Sequence, residues 1–93
     1  MKSQAGQVPQ EILSFPCEIM IKAMGLAEDG FEMLVVQLVR VHVPNLGEND
    51  FTSRPSSGGK YLSVSVRVQA ENRTQMDAIY RDLSAHHKVL MAL

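Results

Sequence analysis

Cysteine is nearly absent: Cys17 is the single one in 93 residues. An intramolecular disulfide, a multi-cysteine zinc site and the C-x-x-C pair of a copper carrier are therefore excluded. Charge of one sign is also missing. Nine Lys plus Arg stand against ten Asp plus Glu, a formal net charge of −1, so the overall field does not draw in a phosphate backbone. Aromatic residues make up only 5% of the chain, too few to supply the stacking platforms by which small sheet domains hold single-stranded RNA. Nucleic acid is not an expected partner.

Long apolar runs are absent as well. The most apolar stretch, Phe31 to Val43, is interrupted by Glu32, Gln37, Arg40 and His42 and is too short to cross a bilayer. The polar stretch Ser3 to Gln10 lacks the apolar core of a signal peptide. The expectation is a cytoplasmic protein with no membrane partner. What the chain does have is the balance of an ordinary globular domain, 45% hydrophobic and 20% charged residues. A chain of this size buries about 60 to 65% of its unfolded surface, enough for one core. Residues 1–11 read as a flexible tail and 12–93 as a single domain.

Cys17, Ile19, Ile21 and Ala23 alternate with Glu18, Met20, Lys22 and Met24, a strand that ends at Gly25. Phe31, Leu34, Val35 and Leu38 then fall on one helical face, with Glu28 and Asp29 before it, Arg40 and His42 near its end, and Pro44 as the stop. The β-branched Val35, Val36, Val39, Val41 and Val43 leave a strand as the competing reading. Pro55 limits Phe51 to Arg54 to a short edge strand. Ser56 to Gly59 makes a hairpin into Lys60 to Ala70, where Leu62, Val64, Val66 and Val68 alternate with polar residues. Asn72 and Gln75 have capping-box form ahead of Met76, Ile79, Tyr80 and Leu83. Val89, Met91 and Leu93 alternate as a last strand.

Right-handed crossovers turn this order into an α+β, ferredoxin-like βαββαβ sandwich, a four-stranded antiparallel sheet with two helices on one face. Alternation places Ile19, Ile21, Val64, Val66, Val89 and Met91 under the helices. It leaves Met20, Lys22, Ser63, Ser65, Arg67 and Leu90 on the open face.

The string RPSSGGKYLSVSV at Arg54 to Val66 resembles the signature of the YbeD-like family of small bacterial proteins. Phe15-Pro16, Lys22 to Gly25, Ile79-Tyr80 with Leu83, and Val89 to Leu93 are similar to it at matching spacing, from about Ile12 onward. Leu90 departs from the pattern, an apolar residue where a charge is common. The resemblance implies a ferredoxin-like fold similar to ACT domains, which bind small effectors at domain interfaces, and a setting near lipoate attachment. It implies no activity.

Candidate sites are few. Ser56, Ser57, Gly58, Gly59 and Lys60 could surround an anion with backbone N–H groups, although the phosphate-loop spacing is absent and the loop joins two strands. Gly25 is where an ACT-like effector would approach the backbone. Met20, Met24 and Leu90 would share the open face as an interface for a protein partner or a second copy. No catalytic or metal site is expected, and no cofactor. Cys17 neighbours a carboxylate and reads as a core hydrophobe. His42, His86 and His87 lack ligand spacing, and the adjacent pair should point apart. Acylphosphatases, which share the fold, hold an anion with an arginine in the first strand–helix loop, and Met24 to Ala27 contains none. The expectation is a non-enzymatic regulatory or adaptor domain acting through protein contacts, with a link to lipoate metabolism implied by the resemblance. The alternative is an ACT-like effector sensor.

Overall fold

The computed structural model describes residues 13–93. The 1–11 tail lies outside the described residues. Six elements follow one another: β1 (Cys17–Leu26), α1 (Phe31–Arg40), β2 (Phe51–Pro55), β3 (Tyr61–Ala70), α2 (Arg73–Ala85) and β4 (Met91–Ala92), with a 3₁₀ turn at Glu48–Asp50 ahead of β2. The sheet order is β2-β3-β1-β4, all pairs antiparallel, which is the ferredoxin-like arrangement.

β1 and β3 form the long inner pair because both alternate over ten residues. Their register sets Ile21 against Val66 and Ala23 against Val64, so one period places Ile19, Ile21, Val64, Val66 and Val68 on the helix side. The core is built from that face together with Phe31, Val35, Val36 and Val39 of α1 and Met76, Ile79 and Leu83 of α2. Their spacing matches a helical stripe, which decides α1 as a helix despite its valines. Packing prevails over β propensity here.

Several boundaries differ from the sequence expectation. β1 continues through Gly25 to Leu26, since nothing at Gly25 breaks the ladder with Leu62. α1 stops at Arg40, where Val39 carbonyl oxygen accepts from both His42 and Val43 N–H groups. Its N-cap is Gly30 at φ 86° without a side-chain cap, while Glu28 turns away to pair with Lys88 Nζ at 2.9 Å. At α2, Asn72 accepts from Gln75 N–H at 2.8 Å as expected. The return bond from Gln75 is accepted from Glu71 N–H, one residue earlier than a capping box requires.

β4 is the largest correction. Val89 is buried, yet it belongs to the turn after α2, its N–H donating to His86 carbonyl at 3.0 Å. Alternation counted from Val89 is therefore out of step when the strand begins. Ala92 pairs with Ala23 toward the core, and Met91, expected under the helices, pairs with Met24 on the open side.

Tyr80 packs on the core from α2, and burial pushes its phenol above the ordinary 10.0. The unfolded chain ionises this group first, so the contribution is complete below that ordinary value and is lost as pH rises through the raised one. Replacing Tyr80 by Phe is expected to flatten the fall in urea-unfolding free energy as pH rises above 10.0. An unchanged slope would remove Tyr80 from the alkaline transition.

Candidate functional site

The open face of the sheet is an amphipathic surface, and the registers fix its layout. Along β1 the outward positions are Glu18, Met20, Lys22, Met24 and Leu26. On the β4 side Met91 stands beside Met24, and Leu93 exchanges backbone hydrogen bonds with Lys22 in both directions, at 3.0 and 2.8 Å. Met20 is 52% exposed, Leu26 44%, Met91 50% and Leu93 65%. With half-buried Met24 they cover most of the β1–β4 half. Strands are about 4.8 Å apart, so these side chains are neighbours and not scattered residues.

The β3–β2 half is different in kind. Ser65 and Thr52 continue the Lys22 row, and Ser63 and Arg54 continue the Met24 row. Lys22, Thr52, Arg54, Ser63 and Ser65 border a shallow hollow of about 490 Å³. Neither Lys22 nor Arg54 forms an ion pair among the described residues. Arg67, opposite Met20, is held at the far end by Asn49 carbonyl at 3.0 Å and Asp50 Oδ1 at 3.5 Å.

Of the interface candidates, Met20 and Met24 lie on this face as expected, and Met91 takes the place given to Leu90. Leu90 N–H donates to Met24 carbonyl at 2.8 Å. Its exposed side chain lines a small cleft with Leu26, Phe31 and Lys88 at the end of β1. Sequence alternation could have found Leu26, had β1 been carried past Gly25. The Arg54–Lys22 grouping depends on pairing across three strands and has no local signal.

Gly25 is buried on the helix side, and its surroundings are full. A Cβ there would sit 2.4 Å from Lys88 carbonyl oxygen and 2.5 Å from the Phe31 ring. Its glycine serves close packing, and an effector would have to approach through the neighbouring cleft of about 290 Å³ around Gly30, Leu34 and His87.

Ser56 to Lys60 form a closed hairpin turn at the same end of the sheet. Gly59 N–H donates to Ser56 carbonyl at 2.8 Å, and Gly58 takes φ 87° after Ser57, the pattern of a type II turn. Ser56 N–H is bonded to Tyr61 carbonyl and Tyr61 N–H to Ser56 Oγ. Those donors point into the hairpin. Lys60 Nζ lies 5.5 Å from the centre of the Tyr61 ring, and its carbonyl accepts from Ala27 N–H.

The histidines are held by different partners. His42 Nε2 meets Asp82 Oδ2 at 2.6 Å and its carbonyl accepts from Gln75, so it ties the end of α1 to α2. His86 and His87 stack with ring centres 4.8 Å apart, contrary to the expectation that they point apart, because the chain leaves the helix at His86 with extended ψ 130°. Cys17 is half-buried at the start of β1. Among the described residues no group of three or more His, Cys, Asp or Glu side chains is placed to hold a metal ion. No helix among them is long and apolar enough to cross a membrane.

Residues 10–93 match the family described as "Protein of unknown function (DUF493)". The chain belongs to this family. A UPF0250 protein of Chromobacterium violaceum is 43% identical over 84 residues, covering 90% of this chain and 94% of the relative. A UPF0250 protein of Janthinobacterium is 42% identical over 84 residues, covering 90% and 92%, and one of Neisseria gonorrhoeae 40% over 82, covering 88% and 90%. The solution structure of protein HP0495 from H. pylori superposes with a TM-score of 0.58 over 100% of this chain and 94% of that one. At 18% identity the latter supports the fold alone. Membership agrees with the YbeD-like resemblance; the family is described as of unknown function, and these relatives are bacterial.

Proposed function

We propose that this chain is a non-enzymatic regulatory or adaptor domain that works by docking another protein on its open sheet face. One observation carries the reading: Met24, Leu26, Met91 and Leu93 form an apolar cluster over β1 and β4, with Met20 beyond Lys22 on the same face, uncovered by any element of the described chain. Covering most of it contributes on the order of 3 to 6 kcal/mol before association costs, enough for a regulated contact. Proteins of lipoate attachment, the setting implied by the resemblance, are the first partners to try.

A photo-reactive residue placed at Met20, Ser65 or Met91 in the full chain is expected to cross-link one and the same protein in the host cell. Placement at exposed Arg81, on α2, is expected to give no such adduct. The purified pair should bind at least about tenfold more weakly, or about 1.4 kcal/mol, after Met20→Glu, since a carboxylate set into an apolar contact is stripped of water. Adducts that form equally from α2, or a Met20→Glu variant that binds unchanged, would discard the open face as the docking surface.

A further inference from the structure

We infer that the partner presents an acidic amphipathic segment to this face, apolar along one side and carboxylate-bearing along the other. The inference rests on the docking reading above and adds the chemistry of the occupant. It comes from the division of the face into two halves. Over β1 and β4 the outward side chains are Met20, Met24, Leu26, Met91 and Leu93. Over β3 and β2 they are Tyr61, Ser63, Ser65, Arg67 and Gln69 with Thr52 and Arg54, so hydroxyls and cations prevail, and Lys22 stands on β1 between Met20 and Met24.

The charge on this face is lopsided in a chain that is balanced overall. Lys22, Arg54 and Arg67 share it with one carboxylate on the strands, Glu18, at the end of β1 opposite Gln69. Arg67 is already engaged by Asp50, which leaves Lys22 and Arg54 as cations with no ion pair among the described residues. A covering segment removes both from water. Desolvated cations need carboxylates opposite them, or their loss of hydration opposes binding. The serine and threonine hydroxyls can donate to the same carboxylates.

The same count argues against a second copy of this chain as the occupant. Two faces brought together would enclose four cations with no ion pair among the described residues, two each of Lys22 and Arg54, against two Glu18 side-chain carboxylates at the margins. Like charges placed together across an interface disfavour it. An amphipathic helix, about 10 Å across, spans two strands and can lay its apolar row on the methionines and its acidic row over the hollow.

A displayed library of random 16-residue peptides, selected on the full chain, tests the inference without knowledge of the natural partner. Retained peptides should be enriched in Glu and Asp spaced three or four residues apart beside Leu, Ile or Phe. Binding should fall at least about tenfold, or 1.4 kcal/mol, in the Lys22→Glu, Arg54→Glu variant and recover in Lys22→Arg, Arg54→Lys. Apolar peptides without acids, lost in Met20→Glu but indifferent to the charge reversal, would overturn the acidic partner and leave the docking face standing. Peptides unaffected by either variant would overturn both. A dimer in sedimentation that Met20→Glu abolishes, or tighter binding to phosphatidylserine vesicles than to the peptides, would replace the inference with a second copy or a membrane surface.

Discussion

Gly25→Ala is expected to lower the unfolding free energy by about 3 kcal/mol or more, read from the urea midpoint at constant slope. The added methyl group would lie 2.4 Å from Lys88 carbonyl oxygen and 2.5 Å from Cε1 of Phe31, both closer than atoms in contact can stand. The first neighbour is backbone and cannot rotate away. The second is a ring that is only 2% exposed and packed in the core. Phe31→Leu should recover part of the loss by removing the ring edge, so a double-mutant cycle is expected to show coupling of about 1 kcal/mol or more. Full recovery would mean that Lys88 carbonyl moves freely. Gly47→Ala is the control. Its nearest neighbour would be Asp50 Oδ2 at 3.6 Å and its φ of −102° suits any residue, so its effect should stay within about 1 kcal/mol.

Adjacent residues on β1 should give opposite outcomes when each becomes glutamate. Ile21 is fully buried, paired with Val66 under the helices. A carboxylate there has no cation or donor to meet it, and the cost exceeds about 4 kcal/mol, a large share of the 5 to 15 kcal/mol that holds such a domain together, roughly. Ile21→Glu should therefore lose cooperative unfolding by near-UV dichroism at ambient temperature. Met20→Glu places the same group on the open face, opposite Arg67, and should keep the wild-type midpoint within about 0.5 kcal/mol while losing the docking contact. A folded Ile21→Glu protein, or an unfolded Met20→Glu one, would mean that β1 is turned over and the apolar cluster lies inward.

The parts of the fold legible in the sequence were those with one period and nothing to compete with it. β3 is the clearest: Leu62, Val64, Val66 and Val68 alternate with polar residues, and the structure pairs that strand on both sides. α2 was legible from Asn72 and the stripe Met76, Ile79 and Leu83. β4 was misread because its two residues follow a turn whose inward Val89 mimics a strand position. Short strands hold too few residues for alternation to fix their phase. Met20 and Met24 could be placed outward from β1 alone, whereas Met91 needed the register with Met24, and Arg54 needed β3 between it and β1.

The amino-acid order by itself determined the fold class, the two inner strands, the second helix and the face that the aliphatic side chains share, while the valine-rich first helix was settled by packing. These follow from local periodicity and the burial it compels. Tertiary structure alone decided that an apolar half and a cationic half lie side by side on the open surface, and that Gly25 is a packing glycine. Both depend on which strands become neighbours and on how closely Phe31 and Lys88 approach, distances set by the whole core and by no single segment.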